Sequence, residues 1–456
     1  MSQAFDVIVV GGGVAGMVAA MEASAAGMSV LLLESSDRLG GAVQGVSLAG
    51  VTVDVGAESY AITRSDTSAL VEQLGLTQLS VAPRRSDSRL VVPNGVFAMP
   101  HALLGVPTDP RADDVIAIIG EQAAADAAAL DELPVPEQWD PELTLGSLVR
   151  QRLGDAIAEL ITTPVVGGVH ALHPDLAEAE AISPGLAAAT IRHAGLAKAA
   201  AAMRAASGVP GSAVHGLQGG MSTIVTALSS ALDVRDVRVR TSTPVVDVRP
   251  DGAHWSVQTE GEVLRAQRIV VALDARSAAS VLRTLPDVHA PLSRMHVGDV
   301  IVFAAVIDAP LLDEDPLGSG ALIAPSVAGL RAKAFTHSSS KWAWVREAYG
   351  PGRHMIRLSY GRDGVIQERV EDLPQIAHAD LELLLGAPLR PFVDTHVARW
   401  NGSLLHPRVG HRATVAELRA AVAQRPGLAV AVSGMAGNGL AGTIGQARAS
   451  IGRVGN

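Results

Sequence analysis

The chain has 456 residues, of which 48% are hydrophobic and 18% charged, a composition typical of a globular protein of about two or three domains. The absence of cysteine excludes disulfide bridges, thiolate catalysis, iron–sulfur clusters and cysteine-ligated zinc, and the formal net charge of −10 leaves no basic footprint for nucleic acid. Every apolar run is shorter than the ~20 residues that span a bilayer, and no targeting segment is visible. We therefore expect a cytoplasmic location, with peripheral membrane contact left open.

The predicted elements begin with a strand at residues 5–10, a helix at residues 14–26 and a second strand at residues 29–34. This strand–helix–strand order predicts a parallel sheet. Residues 90–100 are predicted to form a hairpin that turns at Pro93-Asn94-Gly95, and residues 109–206 a mostly helical layer. Further strands are predicted at residues 237–241, 245–249, 254–259, 268–272, 300–307, 332–336, 354–360, 393–400 and 428–433, followed by a glycine-rich turn and a helix from about Thr443.

The turn after the first strand carries a dinucleotide-binding pattern. Gly11-Gly12-Gly13-Val14-Ala15-Gly16 fits G-x-G-x-x-G, and Glu34 ends the next strand 18 residues past Gly16. Gly11 allows a tight turn, Gly13 lets the backbone approach a pyrophosphate at the helix N-terminus, and Gly16 lets helix and strand pack closely. Glu34 can accept the ribose hydroxyls and would repel the phosphate of NADP. The alternative is a glycine turn that binds nothing.

Two segments after Glu34 favour FAD over NAD. Arg38-Leu39-Gly40-Gly41 follows directly, and Asp54-Val55-Gly56-Ala57-Glu58 comes next. The first segment resembles the FAD extension of the glutathione-reductase-type flavoproteins. This resemblance implies that the arginine and the glycines line the flavin side of the pyrophosphate, and that Gly56-Ala57 passes by the isoalloxazine. The cofactor contacts expected here are Arg38, Gly40, Gly41, Gly56, Ala57 and Glu58.

A second glycine pattern supports the same choice. Gly437-Asn438-Gly439-Leu440-Ala441-Gly442 is again G-x-G-x-x-G, but the residues after it leave no room for another strand with an acidic residue. An NAD site is therefore not expected there. The N-terminus of the following helix could instead face the flavin C2 carbonyl and stabilise the negative charge of reduced flavin. The further cofactor contacts expected are Val245, Gly434, Met435, Gly439, Leu440 and Ala441.

Motifs along nearly the whole chain resemble those of the flavin amine-oxidase superfamily and, within it, the protoporphyrinogen/coproporphyrinogen oxidases. Eight such segments occur in the order expected for that family. They are residues 54–60 (DVGAESY), 89–100, 104–107 (LGVP), 166–171 (VGGVHA), 216–221 (GLQGGM), 336–342 (THSSSKW), 357–362 (RLSYGR) and 407–411 (PRVGH). Three positions depart from the family pattern, because Gly437 and His170 stand where aromatic residues are usual, and Ser183 stands where phenylalanine is.

The resemblance implies an FAD-dependent, oxygen-using oxidation of a porphyrinogen in heme biosynthesis, in which hydrides pass from meso carbons to flavin N5. Gly167 and Gly168 are then expected in a glycine turn that matches the family's, where the carbonyl of Gly168 is the catalytic candidate, as an acceptor for the pyrrole nitrogens. Arg89 is expected to pair with a propionate, the alternative being a solvated hairpin arginine. His170 is either a pocket or a core histidine, and Lys341 either pairs with a second carboxylate or lies on the surface. No metal site is expected.

Within this family the substrate is predicted to be coproporphyrinogen III, with four propionates, rather than protoporphyrinogen IX, with two. The alternatives left open are an amine oxidase, a carotenoid-type desaturase and a non-catalytic protein that binds heme or porphyrin. The partners expected are the porphyrinogen and molecular oxygen, together with transient contact with heme-pathway enzymes. The oligomeric state is left open.

The predicted fold class is α/β. A Rossmann-type FAD-binding domain of the glutathione-reductase/amine-oxidase type is expected to carry an inserted α+β substrate domain. Residues 1–75, 216–290 and 425–456 are assigned to a discontinuous FAD-binding domain. Residues 76–100 and 291–424 are assigned to a substrate-binding sheet layer, and residues 101–215 to a helical layer. The active site should lie where the two layers meet the flavin.

Overall fold

The computed structural model describes residues 5–85, 87–207 and 214–454. Its strands are β1 (Phe5–Val10), β2 (Val30–Leu33), β3 (Gly45–Leu48), β4 (Val51–Asp54), β5 (Tyr60–Ala61), β6 (Ser80–Val81), β7 (Arg89–Val92), β8 (Gly95–Ala98), β9 (Ala102–Leu103), β10 (Val106–Pro107), β11 (Val214–Leu217), β12 (Arg238–Arg240), β13 (Val245–Asp251), β14 (His254–Thr259), β15 (Val263–Val271), β16 (His296–Asp308), β17 (Gly320–Ile323), β18 (Ala334–His337), β19 (Arg353–Tyr360), β20 (Asp394–His406) and β21 (Leu428–Val430).

The helices account for most of the remaining structure. They are α1 (Val14–Ala25), α2 (Ser65–Gln73), α3 (Asp113–Ile119), α4 (Glu121–Asp131), α5 (Leu145–Ile157), α6 (Thr163–His170), α7 (Ala179–Ile182), α8 (Leu186–His193), α9 (Leu196–Ser207), α10 (Ser222–Val234), α11 (Ala275–Val281), α12 (Pro286–Arg294), α13 (Ser338–Lys341), α14 (Ala343–Tyr349), α15 (Leu373–Leu385), α16 (His411–Ala423) and α17 (Leu440–Val454). Within the described ranges, none of these helices is long and apolar enough to cross a bilayer.

The first sheet joins strands from distant parts of the chain. Its order is β12-β2-β1-β15-β14-β13, and β21 also pairs with β15. The pairs of β1 with β2 and β15, and of β15 with β21, are parallel. Val, Ile and Leu fill these strands because α1, α10 and α17 cover one face and α11, α12 and α16 the other. The prediction of an α/β fold with a parallel sheet formed by the first strand–helix–strand unit is therefore confirmed.

The second sheet has the order β20-β16-β19-β18-β17-β7-β8. Its antiparallel core rests on α15, through a cluster that includes Phe303, Phe335 and Tyr360. Part of its opposite face, including Leu90 and Leu322, packs against helices α3–α9. The limits of the three predicted domains stay predictions, whereas the predicted hairpin, strands and helical layer occur in the predicted order.

Two predicted details differ from the structure. The last helix begins at Leu440, three residues before the predicted start, because the second glycine-rich turn leads directly into it. Residues 163–170 form α6, with Pro164 in its first turn, so Gly167 and Gly168 lie in a helix and not in a glycine turn. The packing of α6 on β17 overrides the low helix propensity of the glycine pair.

Candidate functional site

The turn between β1 and α1 excludes side chains at two glycines. Gly11 has φ +107°, and a Cβ there would lie 2.3 Å from the carbonyl oxygen of Ala272. A Cβ at Gly16 would lie 1.8 Å from the carbonyl oxygen of Gly11. Contacts this short cannot be relieved by rotating a side chain, because both involve backbone oxygens. The backbone of the turn and the start of α1 are thus fixed by glycine itself.

Gly13 differs from its neighbours, because a Cβ there would meet only the Cα of Gly41, at 3.9 Å. Gly13 caps α1, and the backbone N–H groups of Ala15 and Gly16 find no acceptor in the part of the chain that the structure describes. Free N–H groups at a helix N-terminus beside an open space fit a pyrophosphate. The residues present therefore fit the diphosphate of a dinucleotide.

Glu34 is held at the end of β2 by two backbone N–H donors. Gly12 donates to its Oε2 at 2.7 Å, and Ser36 donates to its Oε1 at 2.8 Å. The carbonyl of Glu34 accepts from Thr243 at 2.8 Å, which brings the start of β13 at Val245 towards the same edge of the sheet. A carboxylate fixed in this way keeps free lone pairs for a ribose hydroxyl.

The segment after Glu34 is tied to the glycine turn through its backbone. Gly40 donates its N–H to the carbonyl of Gly12 at 2.8 Å. Arg38 donates to the carbonyl of Gly41 at 3.1 Å and lies 6.0 Å from the centre of the Trp400 ring. The structure therefore brings Arg38, Gly40 and Gly41 to the diphosphate cradle, while their contact with the cofactor stays a prediction.

Gly56 and Ala57 pass closely over the same segment. A Cβ at Gly56 would lie 1.9 Å from the carbonyl of Ala42, and Ala57 donates its N–H to that carbonyl at 3.0 Å. The indole N–H of Trp400 donates to the carbonyl of Val55 at 3.1 Å, so β20 of the second sheet holds this backbone in place. Sequence reasoning missed Trp400, whose signal was only its rarity, since the chain has 5 tryptophans.

Glu58 lies in a buried charge cluster with Lys341 and Arg357. Arg357 donates to its Oε2 at 2.7 Å and to the carbonyl of Gly56 at 2.8 Å, and Lys341 forms an ion pair with its Oε1. Burial alone would raise the pKa of Glu58, but the two cations outweigh it and hold that pKa at about 2. The ammonium of Lys341 is thus used inside the protein, and its predicted contact with a substrate carboxylate stays untested.

The second glycine-rich turn is anchored to β20. The side chain of Asn438 accepts from the N–H of Leu405 at 3.2 Å and donates to its carbonyl at 2.8 Å. Met435 and Ala441 are buried, whereas Cβ atoms at Gly437 or Gly439 would meet nothing within 4 Å. Gly434 has φ +88°, and a Cβ there would lie 2.3 Å from the Cβ of Leu405. This turn and the start of α17 at Leu440 present backbone and open space, which suits a flat ring.

The substrate side begins at the end of α6. Ala171 donates its N–H to the carbonyl of Gly167 at 3.0 Å, but the carbonyl of Gly168 receives no backbone N–H from the described residues. A Cβ at Gly168 would lie 2.5 Å from the Cδ2 of Leu322 on β17, so a larger residue there would require the leucine side chain to move. Burial lowers the pKa of His170 to about 4, which keeps its imidazole neutral at pH 7.

Arg89 starts β7 beside β17, and its side chain is 28% exposed. Its guanidinium lies 3.8 Å from the carboxylate of Asp87, a distance that indicates a weak ion pair. The register pairs Arg89 with Ala321, one residue before Leu322. Because side chains alternate along β7, Arg89 lies on the face of Val91 and Ala321, opposite to that of Leu90 and Leu322, and its pairing with a propionate stays a prediction.

A cradle that fits a diphosphate at α1 and a second open turn at α17 are the features expected of a dinucleotide site. The chain is a flavin-dependent oxidoreductase that uses FAD. Residues 14–450 match the family of flavin containing amine oxidoreductases, and the chain belongs to that family.

Three relatives are similar over the whole length. Proteins named coproporphyrinogen III oxidase from Mycobacterium tuberculosis and Bacillus subtilis are 28% and 25% identical to the chain. These alignments cover 97% and 98% of this chain, and 96% and 97% of the respective relatives. The crystal structure of "Putative protoporphyrinogen oxidase" from Exiguobacterium sp. 255-15 is 25% identical, has a TM-score of 0.84 and is covered to 99%, as is this chain.

Proposed function

We propose that this protein oxidises coproporphyrinogen III to coproporphyrin III with FAD and molecular oxygen. The observation that carries the proposal is the full-length similarity to proteins of that name, which extends over 97% of the chain. The open space at Gly13 and at the second glycine-rich turn supports it, because an FAD-dependent oxidation requires a site for the cofactor. The reaction removes three hydrides from meso carbons and three protons from the ring system.

Bound FAD supplies a two-electron acceptor, and oxygen carries each electron pair away as hydrogen peroxide. The protein contributes position and electrostatics. The backbone at Gly13 and the start of α1 hold the diphosphate, and Glu34 orients the ribose. The free carbonyl of Gly168 accepts a pyrrole N–H and so orients the macrocycle. Since His170 is neutral, it adds no charge that would oppose hydride loss.

The remaining assignments follow from this reaction. The partners are the porphyrinogen and oxygen, with transient contact to other enzymes of heme synthesis. We place the protein in the cytoplasm, with peripheral contact to the membrane as the alternative.

The test is anaerobic mixing of the purified yellow protein with coproporphyrinogen III. Bleaching of the flavin, followed on admission of oxygen by about three peroxides per coproporphyrin, is the expected result. A protein that binds porphyrin without bleaching would contradict the proposal, as would bleaching by a primary amine but by no porphyrinogen.

A further inference from the structure

The chain has three lysines, and they lie in three different environments. Lys198 is exposed on α9, and Lys341 pairs with Glu58. Lys333 is only 2% exposed, yet its ammonium makes no hydrogen bond or ion pair within the described ranges. A buried ammonium without a counter-ion is costly, so its retention requires a reason beyond packing.

The backbone turns Lys333 away from the core beneath the second sheet. Its N–H donates to the carbonyl of Ser359 at 2.8 Å, although the registered partner of Ser359 is the next residue, Ala334. Two residues thus oppose one, as in a β-bulge, which re-aims the side chain. Ala332 packs in the core on the α15 side, so Lys333 is directed to the opposite face. Ala334 pairs there with Leu322, the residue that touches Gly168.

The charges near Lys333 do not neutralise it. Arg362 lies close enough to repel it, and donates to the carbonyls of Ile323 and Ala332 at 3.1 and 3.0 Å. Asp363 attracts it but accepts the N–H of His173 at 2.6 Å. His406 on β20 also faces it, and burial lowers the pKa of that imidazole to about 4, so it is neutral. Asp380 and Glu368 act on Arg362, so among the carboxylates that the structure describes only Asp363 acts on Lys333, and it makes no ion pair with the ammonium.

We propose that Lys333 binds a carboxylate of the substrate, at a pyrrole ring that carries a propionate in coproporphyrinogen III and a vinyl group in protoporphyrinogen IX. This inference rests on the proposed function. A carboxylate that reaches a side chain so deeply buried must leave water, and it does so only if a cation receives it. A vinyl group in its place would leave the ammonium uncompensated. Lys333 is thus a specificity-determining residue, while carboxylates at the other end of the macrocycle can stay hydrated.

The proposal has a pH signature. Burial and the nearby Arg362 lower the pKa of Lys333 to about 7. The lysine is therefore charged below pH 7 and loses its charge as the pH rises through 7. Carboxylate binding should weaken as this charge is lost. The KM for coproporphyrinogen III should therefore rise above pH 7, while the KM for protoporphyrinogen IX should not change with pH.

The experiment compares the wild-type holoenzyme with Lys333→Met, Lys333→Arg and the control Lys198→Met. For Lys333→Met we expect kcat/KM for coproporphyrinogen III to fall by about 10- to 100-fold, the value of a charge-assisted hydrogen bond. The value for protoporphyrinogen IX should change less than about twofold, and the pH dependence of KM should disappear. Lys333→Arg should keep a low KM above pH 7, because arginine stays charged. Lys198→Met should match the wild type.

Binding of the product supplies a readout independent of turnover. In fluorescence titrations of the holoenzymes, Lys333→Met should weaken the binding of coproporphyrin III but leave the binding of protoporphyrin IX unchanged. Equal losses for both porphyrins, or no loss for either, would overturn the assignment of Lys333. If the wild-type protein itself failed to oxidise coproporphyrinogen III, the proposed function would fail instead, so the two failures are distinguishable.

Discussion

The two large sheets build their parts of the site from different materials. Around the first sheet the candidate site consists of backbone atoms at glycines, where the absence of side chains leaves room for a cofactor. The second sheet instead carries buried ionisable side chains, among them Lys333, His337, His354 and Arg357. A site formed by backbone can be predicted from a short stretch of sequence, whereas a site formed by side chains depends on contacts between distant strands. The following predictions test this difference.

The largest effect should come from the two glycines of the first turn. Gly16→Ala places a Cβ 1.8 Å from the carbonyl of Gly11 and should cost about 3 kcal/mol or more, so that little folded protein forms. Gly13→Ala meets no such clash and should fold with a stability within about 0.5 kcal/mol of the wild-type apoprotein, but without flavin. Urea denaturation and the flavin-to-protein absorbance ratio measure both. Full flavin content in Gly13→Ala would contradict the cradle.

The next effect belongs to the buried charge cluster. Glu58→Gln leaves Arg357 and Lys341 buried without their counter-ion and should lower the free energy of unfolding by about 3–5 kcal/mol. The control is Glu371→Gln, which breaks an exposed pair with Arg369 and should cost less than about 1 kcal/mol. If the two variants lost similar amounts of unfolding free energy, the charge cluster around Glu58 would not be buried as it is in the structure.

The next prediction concerns pH: acid should lower the free energy of unfolding through a buried histidine of the second sheet. Burial lowers the pKa of His337 to about 3, and its Nε2 lies 3.0 Å from Nδ1 of His354. Between pH 6.5 and 3 the unfolded chain binds a proton that the folded chain does not, so stability falls as the pH falls below 6.5. From pH 6.5 to 5 the loss from this residue should be about 2 kcal/mol. His337→Gln should remove that part of the loss, and the exposed control His254→Gln should not.

The smallest effect concerns the anchor of the second glycine turn. Asn438→Ala removes two hydrogen bonds to the backbone of Leu405 and should cost about 1–2 kcal/mol. Because the turn precedes α17, the same variant should also bind FAD more weakly. Isothermal titration of the apoprotein with FAD measures this, and unchanged affinity would place the turn away from the cofactor.

The sequence predicts the parts of the molecule that short patterns encode. The strand–turn–helix at Gly11–Gly16 and the hairpin at Asn94 need no distant contact to be recognised. The contact between Trp400 and Val55 could not be predicted, since 345 positions separate the two residues. The face of the sheet to which the Lys333 side chain is directed could not be predicted either, because a β-bulge adds one residue without a sequence signal. The glycine pair in α6 was misinterpreted, because a neighbouring strand decides its conformation.

The way β21 completes the first sheet has a consequence for biosynthesis. β21 pairs with β15, and α17 packs on α1, although more than 400 positions lie between α1 and α17. During translation the first strand–turn–helix emerges long before the segments that cover it. The strands before β21 can pair with one another as they emerge, but the β15 edge that β21 pairs with and the face that α17 covers stay exposed, or shielded by a chaperone, until residues 428–454 leave the ribosome. Cofactor loading is in this sense a late, post-translational event, and a ribosome stalled before that point would carry a chain without a closed cofactor site.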